Sequence, residues 1–290
     1  MKNHTDMLIF HTAICAGASQ IATDGRRELD VLVATPSLRS GMEIKMDIRR
    51  IAHRGLSAWA PENTEVSFRL ATECDCFGIE CDIWRTIDGV YVVSHDDSMK
   101  KMFGVKKHIT ESSYEDIKDL PVISGNLVTE SPTQHICTLQ RYLHVVEDSD
   151  KYAFIEIKQD LDVGFLNEII SVVNSYDMYE RTFFISSEAK TLLRLRYDLS
   201  FPKERLQYVH GAKARDSHVP VNEALITRLV AHGIGLDARH SLLDEKFVDE
   251  LHDVGQSVNV WTVDTEKDFK KVVEKYGVDM VTMNDVRAMV

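Results

Sequence analysis

From residue 49 to residue 285 the apolar positions follow two rhythms in turn. Short apolar runs appear as RRIAHRG, GIECDIW, YAFIEIK, RTFFISS, RLQYVHG, GIGLDAR, SVNVWTV and DMVTMND. Between most of them, apolar residues return every three to four positions, as in VGFLNEIISVVNSY, NEALITRLVAHG, DEKFVDELHDVG and EKDFKKVVEKYG. The first rhythm predicts strands and the second amphipathic helices. Gly233, Gly255 and Gly277 fall where those helices should stop, as glycine C-caps do. Strand and helix alternating in this way predict an α/β fold, a parallel sheet closed into a (β/α)8 TIM barrel. The stretch is close to the ~250 residues usual for that barrel. An open doubly wound sheet is the alternative that periodicity leaves standing.

Two stretches depart from a regular barrel. Only VRAMV follows the eighth strand, so the last helix should be short. Residues 97–137 exceed a simple connection and predict a small insertion after strand two, over one mouth of the barrel. Within it, SMKKMFGVKKH carries Lys100, Lys101, Lys106 and Lys107 beside Met99, Met102 and Phe103. This reads as a solvated charged face, or else as a lip against substrate. The domain division expected is 1–46 as an N-terminal arm and 47–290 as the barrel.

Composition narrows the partners. The chain has 290 residues and a net charge of −12. That argues against an extended basic surface for nucleic acid or anionic lipid, so an anionic substrate needs a local cluster of positive charge. Five cysteines, odd in number, argue for a reducing compartment over a disulfide framework. CDCFGIEC lacks the second ligand pair of a zinc site and reads as buried thiols. The chain has no apolar run long enough to span a membrane. Its start, MKNHTDMLIFHTAICAGAS, imitates a signal peptide, but Asp6, His11 and Thr12 interrupt the pattern. A cytoplasmic location is therefore expected over export.

Chemistry gathers at the C-terminal ends of the strands, where barrels of this kind place their active sites. The first strand ends in His53 and Arg54, the second in Glu80 and Asp82, the third in Glu156 and Lys158, and the seventh in Trp261. His95 follows in YVVSHDD. Residues two apart on a strand share a face, so Glu80 and Asp82 point one way and Cys81 the other. Three carboxylates directed into one barrel repel each other and call for a positive partner. All-oxygen donors favour a hard divalent ion, Mg²⁺ or Ca²⁺. Plainer roles exist for each: ion pairs of Glu80 with Arg54 and Glu156 with Lys158, turn caps by Asp82 and Asp96, and a hairpin place for His95. Asn63 and Thr64 read as turn and helix N-cap before EVSFRLAT.

AHRG…PENT, GIECDIWRTIDGVYVVSHD, TLQRYL, FIEIK and VNVWTVD together resemble, in order and spacing, the glycerophosphodiester phosphodiesterase family. The resemblance implies a barrel of the phospholipase C-like phosphodiesterase type. Its activity would be metal-dependent hydrolysis of small glycerophosphodiesters to sn-glycerol 3-phosphate and an alcohol such as choline or ethanolamine. It implies His53 and His95 as the acid–base pair, Glu80, Asp82 and Glu156 as metal ligands, Arg54 and Lys158 as phosphate clamps, and Trp261 at the substrate mouth. The family's T-D-x-P turn after the last strand reads TMNDV here. Lysophospholipase D and sphingomyelinase D enzymes resemble the same barrel. They would need an apolar groove, for which Met99, Met102 and Phe103 are candidates. A catalytically silent barrel that binds a phosphate ligand is the reading from another class.

Overall fold

In the computed structural model, which describes residues 48–288, all eight apolar runs become strands of one barrel. The strands are β1 (Arg49–Ala52), β2 (Gly78–Arg85), β3 (Tyr91–Val93), β4 (Cys137–Thr138), β5 (Tyr152–Ile157) and β6 (Thr182–Ser186). They continue with β7 (Leu206–His210), β8 (Gly235–Arg239), β9 (Val258–Trp261) and β10 (Met280–Met283). The parallel ladder runs β2-β5-β6-β7-β8-β9-β10-β1 and closes because Ile51 of β1 pairs with both Thr282 of β10 and Gly78 of β2. An open sheet would leave β1 one neighbour on one edge. The barrel expectation holds.

Among the described residues seven helices lie against the barrel: α1 (Glu65–Thr72), α3 (Leu139–Val146), α4 (Val163–Ser175), α5 (Ala189–Tyr197), α6 (Glu223–His232), α7 (Glu245–His252) and α8 (Glu266–Phe269). Thr64 caps α1 as expected, in a reciprocal box with Ser67. Gly233 takes the left-handed conformation that ends α6. After Phe269, α8 widens into a π-helix over Lys270–Lys275, which its apolar period did not announce. Among the described residues no helix follows β10, only a turn at 286–288. The expected N-terminal arm, 1–46, and the leader-like start lie outside the described residues.

Side-chain alternation divides the interior. Outward residues such as Ile79, Cys81 and Ile155 pack beneath the helices. Inward, Ile51, Phe154, Phe183, Ile185, Val209 and Met280 form an apolar plug, with Phe154 and Phe183 stacked at 4.4 Å. Each buried ring of this kind contributes roughly 1.5–3 kcal/mol. Gly78 makes room for the plug: a Cβ there would stand 2.6 Å from the Phe154 ring. Charged inward residues gather at the C-terminal end, while Gln207, bonded to Ser257, and Asn259, bonded to Thr282, lie deeper in the barrel.

The insertion is built outward from β2. β3 pairs antiparallel with β2, β4 with β3, and α2 (Lys100–Phe103) follows β3. The segment has its own core, in which Met99, Met102 and Phe103 join Val92, Ile109, Ile117, Val122 and Ile136. This corrects the groove expectation. The three residues are turned inside the insertion and present no apolar track to an acyl chain, while Lys100, Lys101, Lys106 and Lys107 are exposed.

Candidate active site

The His-Arg-Gly turn is shaped by a close approach. After β1 the chain passes His53, then Arg54 (φ 57°) and Gly55 (φ 77°) in left-handed backbone. Leu56 then bonds back to the Ser67 carbonyl on α1 at 2.9 Å. A Cβ on Gly55 would fall 2.5 Å from Ser67 Oγ and 2.6 Å from its carbonyl carbon, so the glycine is a spatial requirement. Arg54 bears a left-handed cost of roughly 1–2 kcal/mol. It is held there by its backbone N–H on Glu80 Oε2 (2.8 Å) and its guanidinium beside Glu62 (3.1 Å) and Asp82 (3.3 Å).

Asn63 does more than turn the chain. Its φ is 58°, but its Nδ2 also donates to Asp82 Oδ2 at 2.8 Å, and its Oδ1 accepts from the Asp82 backbone N–H at 3.3 Å. The turn reading is right and incomplete: Asn63 also orients a carboxylate.

Glu80, Asp82 and Glu156 are all buried, and each offers an oxygen within 4.8 Å of the others. Asp82 and Glu156 are direct partners across the β2–β5 ladder. Burial, with repulsion from neighbouring carboxylates, raises the pKa of Glu80 well above the usual range and raises Glu156 too. Burial would also raise Asp82, but Lys158 and Arg54 outweigh it and hold that group far below its ordinary value. The same carboxylates overcome burial to raise both Arg54 and Lys158, keeping them charged. Lys158 Nζ lies 3.1 Å from Asp82 and 3.0 Å from Glu156. Those contacts fall on Asp82 Oδ1 and Glu156 Oε1, so a single ammonium serves carboxylates of both strands. Three buried carboxylates converging from two strands, with oxygens close enough to share one ligand, suit a hard, oxygen-seeking cation.

The two imidazoles have unlike supports. His53 Nδ1 is 2.8 Å from Asn284 Oδ1. Asn284 Nδ2 donates to Asp264 Oδ2 at 2.5 Å, which fixes the amide so that its oxygen faces the ring and also accepts from Ser57 Oγ. The network thus assigns the proton to His53 Nδ1 and leaves a lone pair on Nε2. Burial, then the Arg54 charge, lowers the His53 pKa to about 3. His95 is half-buried, with Nδ1 2.8 Å from Asp96 Oδ1. Asn284 sits where TMNDV departs from T-D-x-P, and the loop is well tied: Asp285 accepts from Trp59 Nε1 at 2.7 Å.

One cavity of ≈ 210 Å³ gathers His53, Arg54, Glu80, His95, Glu156, Lys158 and Trp261 on its walls. Asp82 lies behind them, 1% exposed. Asp237 and Arg239 also line the cavity and escaped the sequence reading, as Asn63 and Asn284 did in their supporting roles. Burial, then Glu156, pushes the Asp237 pKa well above the carboxylate range. The clue to Asp237 and Arg239 was their inward parity near a strand end, the same clue that exposed Glu80 and Asp82.

Residues 53–288 match the glycerophosphoryl diester phosphodiesterase family. A glycerophosphodiester phosphodiesterase of Caldanaerobacter subterraneus subsp. tengcongensis is 28% identical over 243 residues, covering 83% of this chain and 95% of its own length. An Oleispira antarctica phosphodiesterase solved in complex with the product sn-glycerol-3-phosphate superposes with a TM-score of 0.69 at 23% identity, over 81% of this chain and 92% of its own. A glycerophosphodiester phosphodiesterase from Parabacteroides distasonis gives a TM-score of 0.64 at 24% identity, over 81% and 92%. These two structural likenesses bear on the fold.

Proposed function

The chain belongs to the glycerophosphoryl diester phosphodiesterase family, and from that premise we propose that it hydrolyses water-soluble glycerophosphodiesters to sn-glycerol 3-phosphate and an alcohol. The observation that carries the reading is the convergence of two imidazoles, two cations and an acidic trio around one cavity. Arg54 suits bidentate contact with phosphoryl oxygens, and Lys158 serves as a point charge beside them. His53, uncharged and with its Nε2 lone pair open, is suited to take the proton from the attacking hydroxyl. His95 is suited to protonate the leaving oxygen, because the Asp96 carboxylate at its Nδ1 can balance an imidazolium where the Asn284 amide cannot. Trp261 borders the substrate at the mouth.

Glu80, Asp82 and Glu156 would hold a divalent cation, Mg²⁺ or Ca²⁺, which when bound supplies positive charge to the phosphoryl oxygens. No helix among the described residues is long and apolar enough to cross a membrane. A small-molecule diester is the partner proposed.

The test is a panel of glycerophosphodiesters with coupled detection of glycerol 3-phosphate. Release of that product, abolished by EDTA and restored by Mg²⁺ or Ca²⁺, is the expected result. No product from any diester overturns the hydrolase reading, and full turnover after exhaustive chelation overturns the metal assignment.

A further inference from the structure

Across the cavity from the acidic trio stand three inward residues, of which only Trp261 has been given a place, and that only at the mouth. Asp237 and Arg239 are two apart on β8 and share its inner face. Trp261 ends the adjoining β9, directly paired with Arg239. In the closed ring, β8 is equally far from β2 in either direction, so these groups face Glu80 across the opening.

Two of their polar atoms lack partners. Asp237 is 3% exposed, yet its Oδ1 is buried without a hydrogen bond, and so is Arg239 Nε. Both side chains line the cavity, where a ligand hydroxyl can partner them. Arg239 also differs from the other two cavity cations. Arg54 is held by Glu62 and Asp82, and Lys158 by Asp82 and Glu156, whereas Arg239 has no carboxylate partner among the described residues. Its guanidinium lies over the Trp261 ring, 5.1 Å from the centroid, and Trp261 Nε1 donates to the Asp237 carbonyl at 3.4 Å.

We propose that Asp237, Arg239 and Trp261 form a subsite selecting diesters whose alcohol is a neutral polyol over those whose alcohol carries an ammonium group. The proposal rests on the hydrolase reading and names the part of the substrate that this side of the mouth recognises. A polyol hydroxyl donates to the Asp237 carboxyl and accepts from the Arg239 guanidinium where the two side chains line the cavity. A quaternary ammonium offers neither contact, and the aromatic face that would attract it is already taken by a cation. It would also meet the like charge of Arg239 at close range.

The experiment compares kcat/KM for glycerophosphoglycerol, glycerophosphoinositol and glycerophosphocholine in the full chain with excess Mg²⁺, with melting temperatures measured in parallel. Wild type should favour the two polyol diesters by at least about tenfold, a modest share of the ~10⁴–10⁵-fold by which sites built to hydrogen-bond a hydroxyl can reject analogues that lack it. Arg239→Gln should narrow that preference at least about fivefold by gaining on the choline diester. Arg239→Lys, which keeps the charge, should retain it. Asp237→Leu, which removes the accepting oxygens at similar volume, should weaken the polyol diesters alone. A preference for choline in wild type, or an equal loss on all three diesters in both the Arg239→Gln and Asp237→Leu variants, overturns the subsite. If no diester is turned over, the hydrolase reading fails separately. The subsite is then judged by equilibrium binding of the same three compounds, where indiscriminate binding rejects it.

Discussion

At the scale of single residues, the two imidazoles separate by the company they keep. His53→Ala and His95→Ala should each lower kcat by about 10²–10⁴-fold with little change in melting temperature. Steady-state kinetics beside a thermal melt checks this, and full activity in both variants would remove the acid–base assignment. Asn284→Asp tests the support of His53. Burial, then Arg54, holds that ring near 3, and a carboxylate against Nδ1 would raise it. The proposed base would then protonate at a higher pH, so the acidic limb of the kcat/KM profile should move upward; an unmoved limb would show that Asn284 does not govern the ring. Gly55→Ala addresses the turn that aims both His53 and Arg54. With φ at 77° and Ser67 in the way, it should cost more than about 1 kcal/mol in a denaturant titration.

The ionisable groups were legible in the sequence because a charge on an apolar strand stands out and alternation says where it points. Asn63 and Asn284 were not legible as supports. A neutral amide near a turn is ordinary, and its role is decided by what lies across space: Asp82 for one, His53 for the other. Asp237 and Arg239 carry the same inward parity in GLDAR, but that stretch lies outside the motifs that drew the reading to the other strand ends.

At the scale of elements, barrel strands flanked by helices announce themselves by apolar runs, and all eight were readable. The insertion and its solvated lysines follow the sequence reading, and only the groove of the rival reading fails, for a physical reason. Met99, Met102 and Phe103 declare an apolar face, but only the packing of Val92, Ile109 and Ile136 against it shows that the face is covered. A contact between elements also carries a pH dependence. His252 on α7 bonds Asp279 at 2.9 Å, and the same carboxylate accepts from the Val258 backbone N–H that opens β9. That hydrogen bond raises the His252 pKa above its ordinary value. Its stabilisation is therefore complete below pH ~6.5 and fades as pH rises through the raised value. Both groups are about a third exposed, so solvent screening keeps the effect below about 1 kcal/mol. The melting deficit of His252→Gln should be largest in mild acid and vanish in mild alkali, and a deficit that does not change with pH would detach it from this pair.

At the scale of the whole molecule, a net charge of −12 surrounds a pocket whose carboxylates are themselves crowded. A cation bridging β2 and β5 would relieve that crowding in the folded state alone. At a hundredfold excess over its Kd, Mg²⁺ or Ca²⁺ should add about 2.7 kcal/mol of stability. Calorimetry of wild type and Glu156→Gln checks this: the gain should be lost in the variant, and an equal gain in both would place the ion elsewhere.

The apolar plug has a kinetic consequence. With Phe154 and Phe183 stacked across the interior, the barrel is a cul-de-sac, and whatever enters the reaction chamber must back out through the doorway it came in by. Each departing product therefore contends with the next incoming diester for one threshold, and added glycerol 3-phosphate should act as a competitive inhibitor.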